Sequence, residues 1–507
     1  MSGPIGTSQL MYSAAAGDFY SYQIANSLRN SAAQNGTLKF TAGTPSSTDV
    51  MTFACWFKRH TPNETDSAAN NIITTGTGGG NYFFIAFGNQ FHGENAGGNQ
   101  GGGYLLSHEK FRDPSAWYHL IFRVDTSQGT QFDRIRVYIN GQQLGLDTIG
   151  GSAAWRNQTM ISNTTQNEDF SYFNADGLVQ AIGGLSGKGH GTEGADLTIA
   201  DVQFFDGQSY YSELGETKNG VWIPKDPSGL TFGNNGYWLK FADSSSIGTD
   251  SSGNGNDFTV ANFAAHDVLL DSPTFGSSSS GNFPTINPLF KHEDIVLSEA
   301  NLKHKTSTNQ RGVMCNIQIP KTGNWYWEHL SVSFNYPTDD ELHGVGVNVQ
   351  SVDIDASRGG RATGITYASY NGGKSIEADG TASYGAAWAE GDIVGVEFDA
   401  DNGTINFSKN GSFQGDISLT AAQQAKEWFP FVGMGGATSA EIGIFNFGQD
   451  SSFAGAKTAQ GNGGDNEDFT YTPPTDFVAL STANLTVAAE VDPAQTDDNF
   501  PQKLFNT

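Results

Sequence analysis

Hydrophobic and polar residues alternate in short runs along most of this chain. The clearest run is Gly391 to Gly411, GDIVGVEFDADNGTINFSKNG. Val394, Val396 and Phe398 fall on one side of a two-residue period, with Ile393, Gly395 and Glu397 on the other. After Asp401-Asn402-Gly403 the period resumes, with Ile405 and Phe407 on one face. Alternation on both sides of an Asn-Gly predicts a β-hairpin. Gly403 can take the positive φ that such a turn demands. A second Asn-Gly, Asn410-Gly411, closes the second strand.

The same pattern recurs upstream. Met51 to Phe57, Asn81 to Phe87, Trp117 to Val124, Arg134 to Asn140 and Asp196 to Phe205 read as strands, with Gly76 to Gly80 as a loop. Leu419 to Trp428, rich in Ala, Gln, Lys and Glu, is the one helical stretch expected in the second half. The fold class is therefore all-β, two antiparallel β-sandwiches in tandem. The divisions expected are a lead-in or anchor over 1–35, a first sandwich over 36–263, a linker over 264–298, a second sandwich over 299–482 and a tail over 483–507. The linker assignment rests on the Ser/Gly run Gly276 to Gly281 and on Pro284 and Pro288.

Composition narrows the partners. The 507 residues include 64 glycines and 35 phenylalanines with only 16% charged residues, a profile of tight turns and strands. Acidic residues outnumber basic ones 53 to 26, giving a formal charge of −27. So negative a surface repels phosphate backbones, and no nucleic-acid partner is expected. The two cysteines, Cys55 and Cys315, sit in alternating stretches of different halves and read as reduced core thiols rather than a disulfide or metal pair. No signal-peptide pattern follows Met1 and no run is long enough for a spanning helix, so neither secretion nor membrane insertion is expected.

Several segments carry resemblances. Asn324-Trp325-Tyr326-Trp327-Glu328, the hairpin, Trp428-Phe429-Pro430 and Ile444-Phe445-Asn446-Phe447-Gly448, in that order, resemble a SPRY domain over about Asp294 to Leu480. Ala54 to Phe57, Trp117-Tyr118-His119, Val137 to Gly141 and Ala200 to Gly207 resemble concanavalin A-like lectins of the laminin-G type. The phrases Ile24 to Arg29, Phe111 to His119, Gly236 to Phe241, Asp250 to Asp257 and Asp271 to Thr274 are similar to a family of bacteriophage virion proteins. That last resemblance covers nearly the whole chain. It implies a lectin-like jelly roll followed by a SPRY-like sandwich, in a tail fibre or structural protein.

Catalytic signatures in the chain are incomplete. Glucanases on concanavalin A-like folds need two carboxylates flanking the bond. Glu377-Ala378-Asp379 and Glu490-Val491-Asp492 begin such a signature but lack its third acid. Gly373-Lys374-Ser375 ends like a phosphate loop, yet Ala368 stands where the first glycine belongs. No zinc spacing and no nucleophile elbow appear. Asp250, Asn254, Asn256 and Asp257 cluster oxygen atoms in a Gly-rich loop that suits calcium, against the plainer reading of an Asx-rich turn. Loop aromatics with polar neighbours, Trp155, Tyr172, Tyr370, Tyr384 and Trp388, are the sugar-contact candidates, against a plain packing role.

The expectation from sequence is thus a non-enzymatic phage virion protein. Its likeness implies a tail fibre or adhesin that binds a host-surface glycan or protein, together with other virion proteins, as a homo-oligomer that is trimeric if it is a fibre. A capsid-decorating protein or head fibre, a glycan depolymerase and a cellular interaction protein using its SPRY domain for peptides are the alternatives.

Overall fold

The computed structural model describes residues 19–31, 33–61, 70–78, 81–96, 103–145, 164–184, 195–306, 311–334, 343–354, 362–369, 371–377, 381–434, 441–464 and 466–485. In the first half, the alternating runs build two facing antiparallel sheets. One has the order Gln142–Gln143, Ile135–Ile139, Trp117–Asp125, Val50–Arg59, Leu197–Asp206, Ser27–Asn30, Val268–Leu269, with Tyr237–Leu239 also paired to Leu197–Asp206. The other runs Thr259–Ala261, Thr37–Thr41, Val179–Ile182, Asn70–Gly78, Asn81–Phe87, Phe91–Ala96, Gly103–Leu106. Period-two strands turn one face inward. Phe53, Cys55 and Phe57 therefore meet Phe83, Ile85 and Phe87 in one core, with Phe57 and Phe87 ring centroids 4.3 Å apart.

The second half repeats the plan. One sheet has the order Ile286–Lys291, Gly312–Cys315, Trp428–Gly433, Gly344–Val349, Ile365–Ala368, Gly373–Ile376, Thr381–Ser383. The other runs Val296–Ser298, Lys303–Thr306, Glu441–Asn446, Asn324–Ser333, Ile393–Asp399, Thr404–Lys409, Ser412–Ser418. The expected hairpin is at its heart. Val396 pairs with Phe407 and Phe398 with Ile405, and Gly403 sits at φ +66 in the connecting loop. Asn410-Gly411 (φ 49 and 76) and Asn140-Gly141 (φ 47 and 75) each make a two-residue turn with both centres left-handed, the type that matches strand twist. Cys55 and Cys315 are buried, one in each sandwich.

The boundaries fall elsewhere than expected. Ser27–Asn30, assigned to the lead-in, is a strand of the first sandwich that pairs with Leu197–Ile199 and with Val268–Leu269. Much of the supposed linker is also strand. Ile286–Lys291 and Val296–Ser298 belong to the second sandwich, and the Ser/Gly run is a small hairpin with Ser279 and Ser280 buried. Its composition reads as linker because small hydroxyl residues give no periodic signal. Gly76, expected in a loop, pairs with Val179 and Tyr82. The helix shrinks to Ala421–Gln424, capped by Thr420, because Trp428 opens a strand paired with Val349.

Candidate functional site

Two buried cations join the sandwiches. Alternation along Ser27–Asn30 puts Leu28 in the first core and Arg29 on the opposite face, where it is fully buried. Its guanidinium lies 3.2 Å from Asp450 and 3.4 Å from both Asp267 and Glu299, and donates to the His266 carbonyl at 2.9 Å. Burial works against the charge, but Asp450, Glu299 and Asp267 outweigh it and hold the Arg29 pKa above its usual value. Lys58, at the end of the long Val50–Arg59 strand, reaches Asp271 at 2.9 Å, the Asn282 side-chain oxygen at 2.6 Å and the Phe283 carbonyl at 3.3 Å.

Hydroxyl and amide groups complete this joint. The Ile24 N–H donates to Thr274 Oγ1 at 2.8 Å, and Ser27 Oγ donates to the Asp271 carbonyl at 2.6 Å. The phrases Ile24 to Arg29 and Asp271 to Thr274 therefore meet each other here. Asn301 Nδ2 donates to the His60 carbonyl at 2.6 Å, and the Asn282 N–H to Thr482 Oγ1 at 2.8 Å.

Beside the joint lies a cleft of about 710 Å³, walled by Asn26, His266 and Leu270 on one side and by Gln449, Lys457 and Glu467 on the other. The loop after Asn446 shapes its second wall. Asn446 Oδ1 accepts from the N–H groups of Gly448 and Asp450, and Asp450 Oδ2 accepts from Ala454 as well as from Arg29. Asp468 holds the same wall from below, accepting from the N–H groups of Ser451 and Gly461. Glu328 then anchors the segment behind it through the N–H groups of Thr470 and Tyr471. A second hollow of about 520 Å³ shares Ser244 and Ala265 with the cleft and extends it to Phe258 and Val260. Val260 lies in Thr259–Ala261, an exposed strand at the edge of its sheet.

The aromatic candidates do not gather at this cleft. Trp155 and Tyr370 lie outside the described residues. Tyr172 is half-buried against the first core. Trp388 is buried in the second core against Phe334, His343 and Tyr367. The Tyr384 hydroxyl donates to the Gly415 carbonyl and accepts from the Phe407 N–H at 3.2 Å. Trp388 is therefore a packing residue whose burial leaves no ring face for a sugar, which corrects that expectation, whereas Tyr384 braces the hairpin through its hydroxyl and keeps a half-buried ring.

The calcium candidates form one loop, into which the buried Asp250 carboxylate is turned. Asp250 Oδ1 accepts from the N–H groups of Trp238 and Ser252, and its Oδ2 from the Asn256 N–H. Asp257 Oδ1 accepts from the Asp250 N–H, while Asn254 and Asn256 donate their amides to the Gly236 carbonyl. This is an Asx-braced turn in which backbone N–H groups engage both oxygens of Asp250 and one of Asp257. Among the described residues, no group of three or more His, Cys, Asp or Glu is placed to hold a metal ion. None of the described helices is long and apolar enough to cross a membrane.

Residues that sequence reasoning passed over dominate the site. Arg29 and Asp450 are 421 positions apart, so no local spacing links them. The one available signal was an arginine directly after an uncharged stretch, Ile24 to Leu28.

The fold and joint define a two-sandwich β-protein, and the comparisons agree. The SPRY domain family matches residues 324–450, and the Concanavalin A-like lectin/glucanases superfamily matches residues 32–178. The chain thus carries a lectin-like and a SPRY sandwich in tandem. Solved structures similar to it include the SPRY domain of human HERC1, at 18% identity, 32% of this chain, 96% of that chain and a TM-score of 0.28. The TRIM65 PSpry domain is similar at 14% identity, 32% of this chain, 92% of that chain and a TM-score of 0.25.

Curated relatives include Protein ssh4 of Aspergillus fumigatus, 30% identical over 27% of this chain and 26% of its own length. Protein SSH4 of Coccidioides immitis is 27% identical over 30% of this chain and 29% of its own length. The chain spans about a quarter of the length of these relatives. They are proteins of fungi, and they overturn the expectation of a phage virion component, whether tail fibre or capsid decoration. The expected virion and host-surface partners and the virion location fall with it. The phrases that carried that resemblance serve instead as the joint and as Asx-braced turns, roles set by packing.

Proposed function

We propose that this chain is a non-catalytic recognition protein that holds an extended peptide in the cleft between its lectin-like and SPRY sandwiches. The observation that carries this reading is the cleft itself, walled by both sandwiches and continuous with a groove that ends at an exposed edge strand. Asn26, Ser244 and Gln449 offer amide and hydroxyl groups to a peptide backbone. The outer side of Thr259–Ala261 offers the hydrogen-bonding row that an added strand uses. Among the described residues the cleft lining carries one ring, His266, and Phe258 and Phe263 line only the adjoining hollow, which favours a peptide over a glycan in the cleft. The net charge of −27 favours a neutral or basic segment over an acidic one.

The test is binding of a peptide array to the full chain and to Ala459→Trp. Ala459 is exposed on the cleft wall, so an indole there fills the space without entering a core. Selected peptides should bind the variant at least about tenfold more weakly, the loss of roughly 1.4 kcal/mol. Peptides that bind both proteins equally would move the site elsewhere. Release of reducing ends from a polysaccharide by the parent protein would end the non-catalytic reading.

A further inference from the structure

Three histidines and one glutamate lie wholly buried between the sheets of the SPRY sandwich. His304 comes from Lys303–Thr306, His329 from Asn324–Ser333, His343 from the residue ahead of Gly344–Val349, and Glu441 opens Glu441–Asn446. His304 Nε2 and His329 Nε2 are 3.1 Å apart. His343 Nε2 is 3.3 Å from Ser331 Oγ, and its Nδ1 is 3.7 Å from Glu441. The Nδ1 atoms of His304 and His329 have no hydrogen-bond partner. Gly443 lies directly against the pair: a Cβ there would fall 2.4 Å from His329 Nε2 and 2.5 Å from His304 Nε2.

This pair must be neutral where it sits. Burial lowers His304 to about 3, with His343 adding to it, and drives His329 well below the usual imidazole value, with His304 and His343 adding to it. The titratable groups facing the pair are His343 and Glu441. Glu328 and Glu397 lie on adjacent strands but on the opposite face, in register with Gly395 and Tyr326. Lys303 and Lys305 flank His304 in the strand and so point to its other face.

The strand that carries His304 is also tied to the domain joint. The three residues before Leu302 are all left-handed without being glycine: Glu299, Ala300 and Asn301 at φ 52, 59 and 58. Such a run is costly for L-residues and persists only where surrounding contacts impose it. The contacts here are Glu299 to Arg29 at 3.4 Å and Asn301 to the His60 carbonyl at 2.6 Å, both across to the first sandwich. Beyond Lys303–Thr306 its sheet holds only the three-residue strand Val296–Ser298.

We propose that Lys303–Thr306 and the left-handed turn before it form an acid-operated latch: proton uptake by His304 and His329 releases the strand, and the Glu299–Arg29 and Asn301–His60 contacts between the sandwiches release with it. Each imidazole that is neutral when docked and titrates near 6.5 when freed multiplies the released population about tenfold per pH unit below 6.5. Two give about a hundredfold per unit, or about a thousandfold between pH 6.5 and 5. Release also relaxes the left-handed turn. The inference stands whether or not the cleft binds a peptide.

Hydrogen–deuterium exchange of the full chain between pH 7.5 and 5, corrected for intrinsic rates, reads the latch directly. Residues 299–306 should lose protection about a thousandfold from pH 6.5 to 5, while Val50–Arg59 and Asn324–Ser333 keep theirs. In His304→Gln the slope should fall to about tenfold per unit. A slope under tenfold in the parent protein overturns the proposal. So does parallel loss of protection along Asn324–Ser333, which would mark unfolding of the whole sandwich. Should His304→Gln not fold, the parent exchange pattern alone decides between these outcomes.

Discussion

The two sandwiches share a plan but place their largest groups of interacting buried charges differently. The lectin-like sandwich sends its buried cations outward to its rim. Arg29 and Lys58 both find their carboxylates in the segments that lead to or belong to the SPRY sandwich. The SPRY sandwich instead keeps ionisable groups within its own sheets. Glu328 and Glu397 occupy one face of the hairpin sheet, and His304, His329 and Glu441 the other, where His343 meets them from the facing sheet. Guanidinium and ammonium groups do not titrate near neutrality, so the cations of the joint bring no pH response of their own. Burial pushes carboxyls up toward neutrality and keeps imidazoles from taking the proton they bind near 6.5 when free, so the second arrangement couples the domain to pH.

Removing the joint's cations is the most severe way to break this contrast. Arg29→Met leaves Asp267 and Asp450 buried beside an apolar group, and such a loss typically costs about 3–5 kcal/mol. Lys58→Met should cost less, about 2–3 kcal/mol, since Asp271 still accepts from the Phe283 N–H at 3.1 Å. Urea unfolding should show one transition for the parent and two for Arg29→Met, because the sandwiches then unfold separately. A cost below about 1 kcal/mol for Arg29→Met would mean that the joint rests on other contacts.

The SPRY carboxyls sharpen the contrast through pH. Burial raises Glu328 to about 7, against the hydrogen bonds from Thr470, Tyr471, Asn446 and Tyr326. Burial raises Glu397 to about 7 as well. A carboxyl raised in the folded state holds a proton that the unfolded chain has lost, so these two groups reduce stability as pH rises from about 4.5 to 7. His304 and His329 act in reverse: the unfolded chain binds protons below about 6.5 that the fold excludes. Two protons on each side offset each other, and SPRY stability should be nearly flat between about pH 4.5 and 6.5. Glu328→Gln with Glu397→Gln removes one side. That variant should lose roughly 2–3 kcal/mol for each pH unit below 6.5, read by urea titrations at several pH values. A variant as flat as the parent would show that the histidines do not exclude protons.

Much of the fold was legible because strand alternation and Asn-Gly turns are local signals. The hairpin around Gly403, the strand Asn81–Phe87 and both cysteines lie where the pattern places them. Asn70–Gly78 was not legible, since its adjacent Ile72 and Ile73 break the two-residue period and Thr75 to Gly78 alternate without an apolar residue. The helix expected to reach Trp428 was overextended because its Ala, Gln and Lys residues favour helix locally while pairing with Val349 decides the strand. The site was almost illegible. Arg29 and Asp450, or His304, His329 and His343, meet only through sheet order, and ring burial separates Trp388 from a ligand-binding aromatic.

The Asn-Gly turns at 140–141 and 410–411 give the smallest and cleanest comparison, since the same device closes a hairpin in each sandwich. Asn140 and Asn410 both sit at left-handed φ, where asparagine is tolerated and alanine is not. Each side chain also accepts a backbone hydrogen bond, from the His119 N–H at 2.7 Å and from the Ile393 N–H at 2.9 Å. Alanine at either site should therefore cost about 1–2 kcal/mol for the strained backbone and about 1 kcal/mol for the lost bond. Glycine should cost only the bond. Because neither asparagine titrates, both costs should be the same at pH 5 and pH 7.5. A cost at Asn410 that changes with pH while that at Asn140 does not would mean that the SPRY hairpin itself moves when the buried carboxyls ionise. The pH response would then extend beyond the strand that carries His304.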